Sequence, residues 1–225
     1  MAVSIGPDVP PLAAGDKLTR EEFLRRWEGH PEIKSAELLG GIVYMPSPVS
    51  REHGVMDARV GGWLSVYQAA TPGTENGHNV TTFLLDDTPQ PDLYLRTLPE
   101  YGGGSREEGS YLHGPAELLV EICRSSAAYD LHVKYDLYQS ARVPEYLAVL
   151  LYEREIRWHV LVDDAYQLLP PDADGLWRSR VFPGLWLDGQ ALLTGDTSRV
   201  LARLQDGLQS PEHAQFVERL AERRS

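Results

Sequence analysis

The chain has 225 residues, 42% of them hydrophobic and 24% charged, enough for one domain with a real core. No run approaches the ~20 apolar residues of a membrane span, which argues against a membrane protein. The net charge of −12 argues against a protein that coats nucleic acid through its whole surface, since phosphate binding is driven by Lys and Arg.

A single cysteine excludes an intramolecular disulfide framework. The stretch Met1–Asp16 is rich in Pro, Gly and Ala and lacks the basic start and apolar centre of a signal peptide, so the cytoplasm is the expected compartment. We expect a flexible segment over residues 1–17 and a single domain over 18–225, with no internal repeat.

Thr19-Arg20-Glu21-Glu22 reads as a capping box opening a short helix to about Trp27, with Phe23, Leu24 and Trp27 at helical spacing. Ala36 to Met45 reads as a hairpin turning at Gly40-Gly41. Ser50 caps a longer helix to about Ala70, with Met56, Val60, Trp63, Leu64 and Tyr67 on its buried face. Strands follow at Val80–Leu85, Pro91–Leu95 and Glu117–Cys123. Between the last two, Thr97–Pro115 is rich in Gly, Glu and Ser and reads as a mobile loop, either plainly disordered or gating a substrate. A helix from about Ser126 to Ala141 precedes strands near Glu145–Leu151, Ile156–Val162 and Ala165–Leu169. Helical stretches near Ser198–Leu208 and Pro211–Arg224 finish the chain.

Three side chains carry the chemistry. Asp92 follows a proline, which biases it toward an extended strand start from which a carboxylate projects into a cleft; the alternative is a surface turn. Glu121 interrupts the apolar run Leu118-Leu119-Val120, where a buried carboxylate is costly unless paired or metal-bound; the alternative is an exposed strand end. Lys134, one of only three lysines in an arginine-rich chain, offers a compact point charge on the following helix. Asp130 stands one turn before it and pairs with it at i,i+4, which also fits a simple exposed ion pair. Two carboxylates and an ammonium from separate elements are the parts needed to hold Mg²⁺ or Mn²⁺ beside a scissile phosphate. Such a cleft acquires a positive field from its ion, so the acidic balance is not fatal to a phosphate substrate. His53, near a helix start, reads either as a phosphate or water contact or as a cap; Cys123 reads as a small core residue. Tyr135 and Tyr138 read as core packing rather than base-stacking platforms.

The order Pro91-Asp92, Glu121, Lys134 resembles the PD-(D/E)xK nuclease superfamily. The surrounding text is similar to the Uma2 family of restriction endonucleases over roughly residues 18–205. The segments that carry this resemblance are Glu37-Leu38-Leu39-Gly40-Gly41-Ile42-Val43-Tyr44, Met45-Pro46-Ser47-Pro48 with Arg51-Glu52-His53, and Pro91-Asp92-Leu93. Further along they are Glu117-Leu118-Leu119-Val120-Glu121-Ile122, Asp130-x-x-x-Lys134, Val143-Pro144-Glu145-Tyr146 and Pro183-Gly184-Leu185-Trp186-Leu187. Gly40 and Ile42 stand where the family usually has acidic residues, and Cys123 takes the slot that carries the superfamily's usual lysine. The resemblance implies that Lys134 is the migrated substitute and that Glu37 supplies a third carboxylate to the metal, beside Asp92 and Glu121.

The resemblance implies an α/β (α+β) fold, a restriction-endonuclease-like mixed central sheet flanked by helices with an N-terminal hairpin. The expected activity is metal-dependent endonucleolytic hydrolysis of DNA phosphodiester bonds, with DNA as substrate partner and no membrane partner. Two rivals stand beside it: a catalytically silent binding or scaffold protein of the same fold, and a metal-dependent hydrolase of another phosphoester. Trp63, Trp177 and Trp186, with the C-terminal helices, offer apolar area for a homodimer interface.

Overall fold

The computed structural model describes residues 9–45, 48–124 and 129–224, with only the backbone of Tyr129 and Asp130. The chain runs α1 (Arg20–Gly29), β1 (Glu37–Leu39), β2 (Ile42–Tyr44), α2 (Arg51–Ala70), β3 (Thr74–His78), β4 (Thr82–Phe83) and β5 (Leu93–Thr97). It continues through β6 (Arg106–Glu108), β7 (Tyr111–His113), β8 (Leu118–Cys123), α3 (Tyr129–Ser140), β9 (Glu145–Leu150), β10 (Glu155–Val162) and β11 (Ala165–Leu169). It closes with β12 (Leu176–Arg178), β13 (Trp186–Asp188), α4 (Gly189–Thr194), α5 (Thr197–Leu208) and α6 (Pro211–Arg223). Helices begin where the sequence supplies a side-chain acceptor. Thr19 Oγ1 accepts from Glu22 N ahead of α1, and Ser50 Oγ accepts from His53 N ahead of α2, both at 3.3 Å.

A six-stranded sheet of order β11-β10-β9-β8-β5-β3 forms the centre. Its β8–β9 pair is parallel and its other pairs are antiparallel, so the sheet is mixed. Every residue of β8 and β9 is buried, the signature of strands covered on both faces. One face packs on α2 and α5 through Trp63, Leu64, Val120, Ile122, Val149 and Leu204. The other packs on α3 through Leu119, Leu137, Tyr138, Tyr146 and Ala148. A smaller cluster of Leu12, Phe23, Ala36, Leu38 and Val43 sits under α1 and the expected hairpin β1–β2. Gly40 and Gly41 both take positive φ, 59° and 74°, as a two-residue hairpin turn requires, and the Asp87 carboxylate accepts from both amides.

Several expectations are corrected. The segment Thr97–Pro115 is not a structureless loop: it carries a 3₁₀ turn at Pro99–Tyr101, then β6 and β7, which join β4 in a second sheet of order β4-β7-β6. Glu117 pins its start by accepting from Thr97 N at 2.8 Å and Gly104 N at 3.3 Å, and buried Arg96 grips Glu107. The strand expected at Val80–Leu85 shrinks to β4, because Asp87 N bonds back to Leu84 O at 2.8 Å and turns the chain. The edge strand β3 was not foreseen, since Thr-Glu-Asn-Gly-His has no apolar alternation. Trp63, expected at a subunit interface, is buried and donates to Trp186 O at 2.9 Å within the chain's own core. The first residues of the helix expected from Ser126, and Pro46-Ser47 of the motif, lie outside the described residues. Among the described residues, no helix is long and apolar enough to cross a membrane.

Candidate active site

Strand register brings the two carboxylates together. Leu93 pairs with Val120 in the antiparallel β5–β8 ladder, so continuing the register by one residue sets Asp92 opposite Glu121 on the same face. Asp92 Oδ2 accepts from Ile122 N at 2.7 Å, which fixes the carboxylate at the strand end. His53, in the first turn of α2, brings Nε2 to 3.3 Å from Asp92 Oδ1. The imidazole is pushed above its ordinary pKa by that carboxylate.

Lys134 and Tyr138 share one stripe of α3, four residues apart, and both side chains are buried against Glu121. Lys134 Nζ lies 3.0 Å from Glu121 Oε1 and 3.1 Å from Oε2, while Tyr138 Oη donates to Oε1 at 2.6 Å. A third carboxylate arrives from β1: Glu37 Oε1 is 2.9 Å from Lys134 Nζ and accepts from Gln90 N at 2.6 Å. Asp92, Glu121, Lys134, Glu37 and His53 are thus brought together; the side chain of Asp130 lies outside the described residues. Sequence reasoning missed Tyr138 and Gln90. Tyr138 had a usable signal in its i,i+4 relation to Lys134; Gln90 had none, because it contributes only a backbone amide.

Burial pushes the Glu121 carboxyl up to about 8, with Asp92 and Glu37 pushing the same way, while Lys134 and the Tyr138 hydrogen bond pull it down. Burial works against the charge on Lys134, but Glu121, Glu37 and Asp92 together outweigh it and hold the ammonium well above its ordinary value. Asp92, Glu121 and Glu37 gather three carboxyl groups around Lys134 and His53. The donors are hard oxygens, so the set fits a hard divalent cation. Among the described residues, no three His, Cys, Asp or Glu side chains close around one point. Mg²⁺ does not require that, because it takes one or two protein carboxylates and fills its octahedron with water and phosphate oxygens.

The family model described as "Putative restriction endonuclease" matches residues 20–190, a span that includes Glu37, His53, Asp92, Glu121 and Lys134. The chain belongs to the Uma2 family. The Uma2 match ends within α4, ahead of α5 and α6. A solved structure titled as a "putative nuclease belonging to DUF820", from Anabaena variabilis, superposes with a TM-score of 0.55. That likeness spans 78% of this chain and 99% of that one at 14% identity, and it shows the fold. No curated protein matches this Uma2 chain in sequence.

Proposed function

We propose that this protein is a metal-dependent endonuclease that hydrolyses DNA phosphodiester bonds, with Asp92 and Glu121 as ligands of Mg²⁺ or Mn²⁺ and Lys134 as the catalytic cation. The observation that carries the reading is the buried Lys134 ammonium, 3.0 Å from Glu121 on the central strand and 2.9 Å from Glu37 on the hairpin. A buried ammonium amid carboxylates is expensive to assemble and is weak evidence for stability alone, which favours a chemical role. When bound, the cation supplies a Lewis acid that lowers the pKa of a ligated water and withdraws charge from the phosphate.

The residues of the chain do the remaining work. Lys134 Nζ orients the attacking water and neutralises the charge that develops on the phosphoryl oxygens. Glu37 positions Lys134 through Oε1, which also accepts from Gln90 N, and offers Oε2 as the expected third ligand. Tyr138 holds one oxygen of Glu121, and His53 with Ile122 N holds Asp92, so both ligands keep a fixed orientation.

Nicking of supercoiled plasmid by the wild type and Asp92→Ala, with Mg²⁺, Mn²⁺ or EDTA, tests the assignment. Cation-dependent nicking that vanishes in the variant is the expected result. Equal nicking by both proteins, or none by the wild type with either metal, overturns it.

A further inference from the structure

A cleft of about 340 Å³ opens where the carboxyl ends of the parallel strands β8 and β9 meet the first half of α2. Arg51, Arg59, Arg124 and Arg154 line it, with Glu52 as the single acid, in a chain whose net charge is −12. Among the described residues no carboxylate closes a short salt bridge on any of the four, although Arg51 and Arg124 both act on Glu52 through space. Other arginines behave differently: Arg26, Arg96, Arg157, Arg178 and Arg199 each hold a carboxylate. Four arginines facing a single acid, despite an excess of acids elsewhere in the chain, make a field complementary to a polyanion, and the planar guanidinium fork matches phosphate oxygens.

An aromatic platform stands in the same cleft. The Arg124 guanidinium carbon lies 5.3 Å from the centroid of the Tyr152 ring and the side chain also donates to the phenol oxygen, yet Tyr152 remains 66% exposed. An arginine-backed ring open to solvent is the arrangement on which unpaired bases stack.

The cleft adjoins the carboxylate site through two elements. Glu52, Val55, Met56 and Arg59 recur at helical spacing along α2 and face the cleft, while His53 on the neighbouring stripe reaches Asp92 at 3.3 Å. Arg124 follows Glu121 by three residues, roughly 10 Å along an extended chain, with its side chain on the opposite face of the sheet. We infer that this arginine cleft binds the backbone of the nucleic-acid strand that is cut at Asp92 and Glu121, with Tyr152 taking an unpaired base. The inference rests on the nuclease reading and adds the path of the strand. It also places the affinity for phosphate in one local patch of an acidic protein.

Fluorescence anisotropy of labelled single-stranded and duplex oligonucleotides in EDTA, across a salt series, reads the cleft. Hydrolysis of bis(p-nitrophenyl) phosphate with Mn²⁺ reads the carboxylate site separately. Arg51→Ala and Arg154→Ala should each reduce the slope of log affinity against log salt by about 1, and the double variant Arg51→Glu/Arg154→Glu should weaken binding more than tenfold. Tyr152→Ala should weaken single-strand binding roughly tenfold and duplex binding less. All four variants should hydrolyse the small diester at the wild-type rate. Wild-type affinity in the double variant, or in both alanine variants should the double variant unfold, overturns the cleft, as does a wild type that binds no oligonucleotide. Those results stand apart from the fate of the nuclease reading, which fails if the wild type binds DNA through these arginines but cleaves neither plasmid nor diester.

Discussion

The Tyr138 hydroxyl donates a 2.6 Å hydrogen bond to Glu121 Oε1 from one helical turn beyond Lys134, so a single stripe of α3 supplies both the charge and the hydroxyl that receive this carboxylate. Tyr138→Phe removes the hydroxyl and keeps the ring that packs against Tyr146. Leaving one partner of a buried hydrogen bond unsatisfied costs about 1–3 kcal/mol, so urea denaturation should show a loss of that order. Nicking should fall while remaining metal-dependent, because the ligand stays and only its orientation loosens.

Lys134→Met tests the ammonium. The substitution leaves Glu121 and Glu37 buried or half-buried without their cation, which costs about 3–5 kcal/mol. Thermal unfolding in EDTA should show the drop, and Mn²⁺ should recover more stability in this variant than in the wild type. Equal Mn²⁺ effects on the two proteins would contradict a shared site.

Burial first, and then Asp92 and Glu37 against the pull of Lys134, push the Glu121 carboxyl from its ordinary 4.5 up to about 8 in the folded protein. Between those values the folded chain binds more protons than the unfolded one, so this group makes stability fall as pH rises from about 4.5 to about 8. Glu121→Gln should flatten that part of the profile. A cation takes only the ionised carboxylate, so the Mn²⁺-induced rise in Tm should be larger at pH 8.5 than at pH 6.

Glu145 is a buried carboxylate away from the cleft, and its function is architectural. It accepts from Ser179 Oγ at 2.7 Å, Arg180 N at 2.6 Å, Val181 N at 3.3 Å and Trp158 Nε1 at 3.3 Å, tying the segment ahead of β13 to the start of β9. Glu145→Ala strands those donors in the interior and should cost roughly 3–5 kcal/mol, read as a lowered urea midpoint. Cation binding by the folded fraction should stay as in the wild type.

The sequence disclosed the site's acidic parts because their placement breaks local rules. A proline fixes the approach to Asp92, and Glu121 is an acid in a run that is otherwise apolar. Lys134 is thirteen residues from Glu121, a separation that becomes contact only once β8 and α3 are folded against each other. Tyr138 stayed hidden because an aromatic at helical spacing has the pattern of any core residue. The strands β6 and β7 were illegible for a related reason: glycine-rich text has no period, and their order comes from Glu117 and Arg96, which lie outside them. The arginine cleft is assembled from α2, the end of β8 and the turn after β9, so no window of sequence contains it.

Glu37 rides on the hairpin β1–β2, which packs through Leu38 and Val43 on the smallest of the three apolar clusters, sends Leu39 into the α3-side cluster, and is clamped at its tip by Asp87. Small clusters open more readily than the sheet they lean on, so hydrogen exchange should find this corner ajar while the central strands stay closed. Each such opening withdraws Glu37 and leaves Lys134 with Glu121 as its nearer anionic neighbour. The charge balance of the centre therefore keeps time with the breathing of a peripheral ribbon.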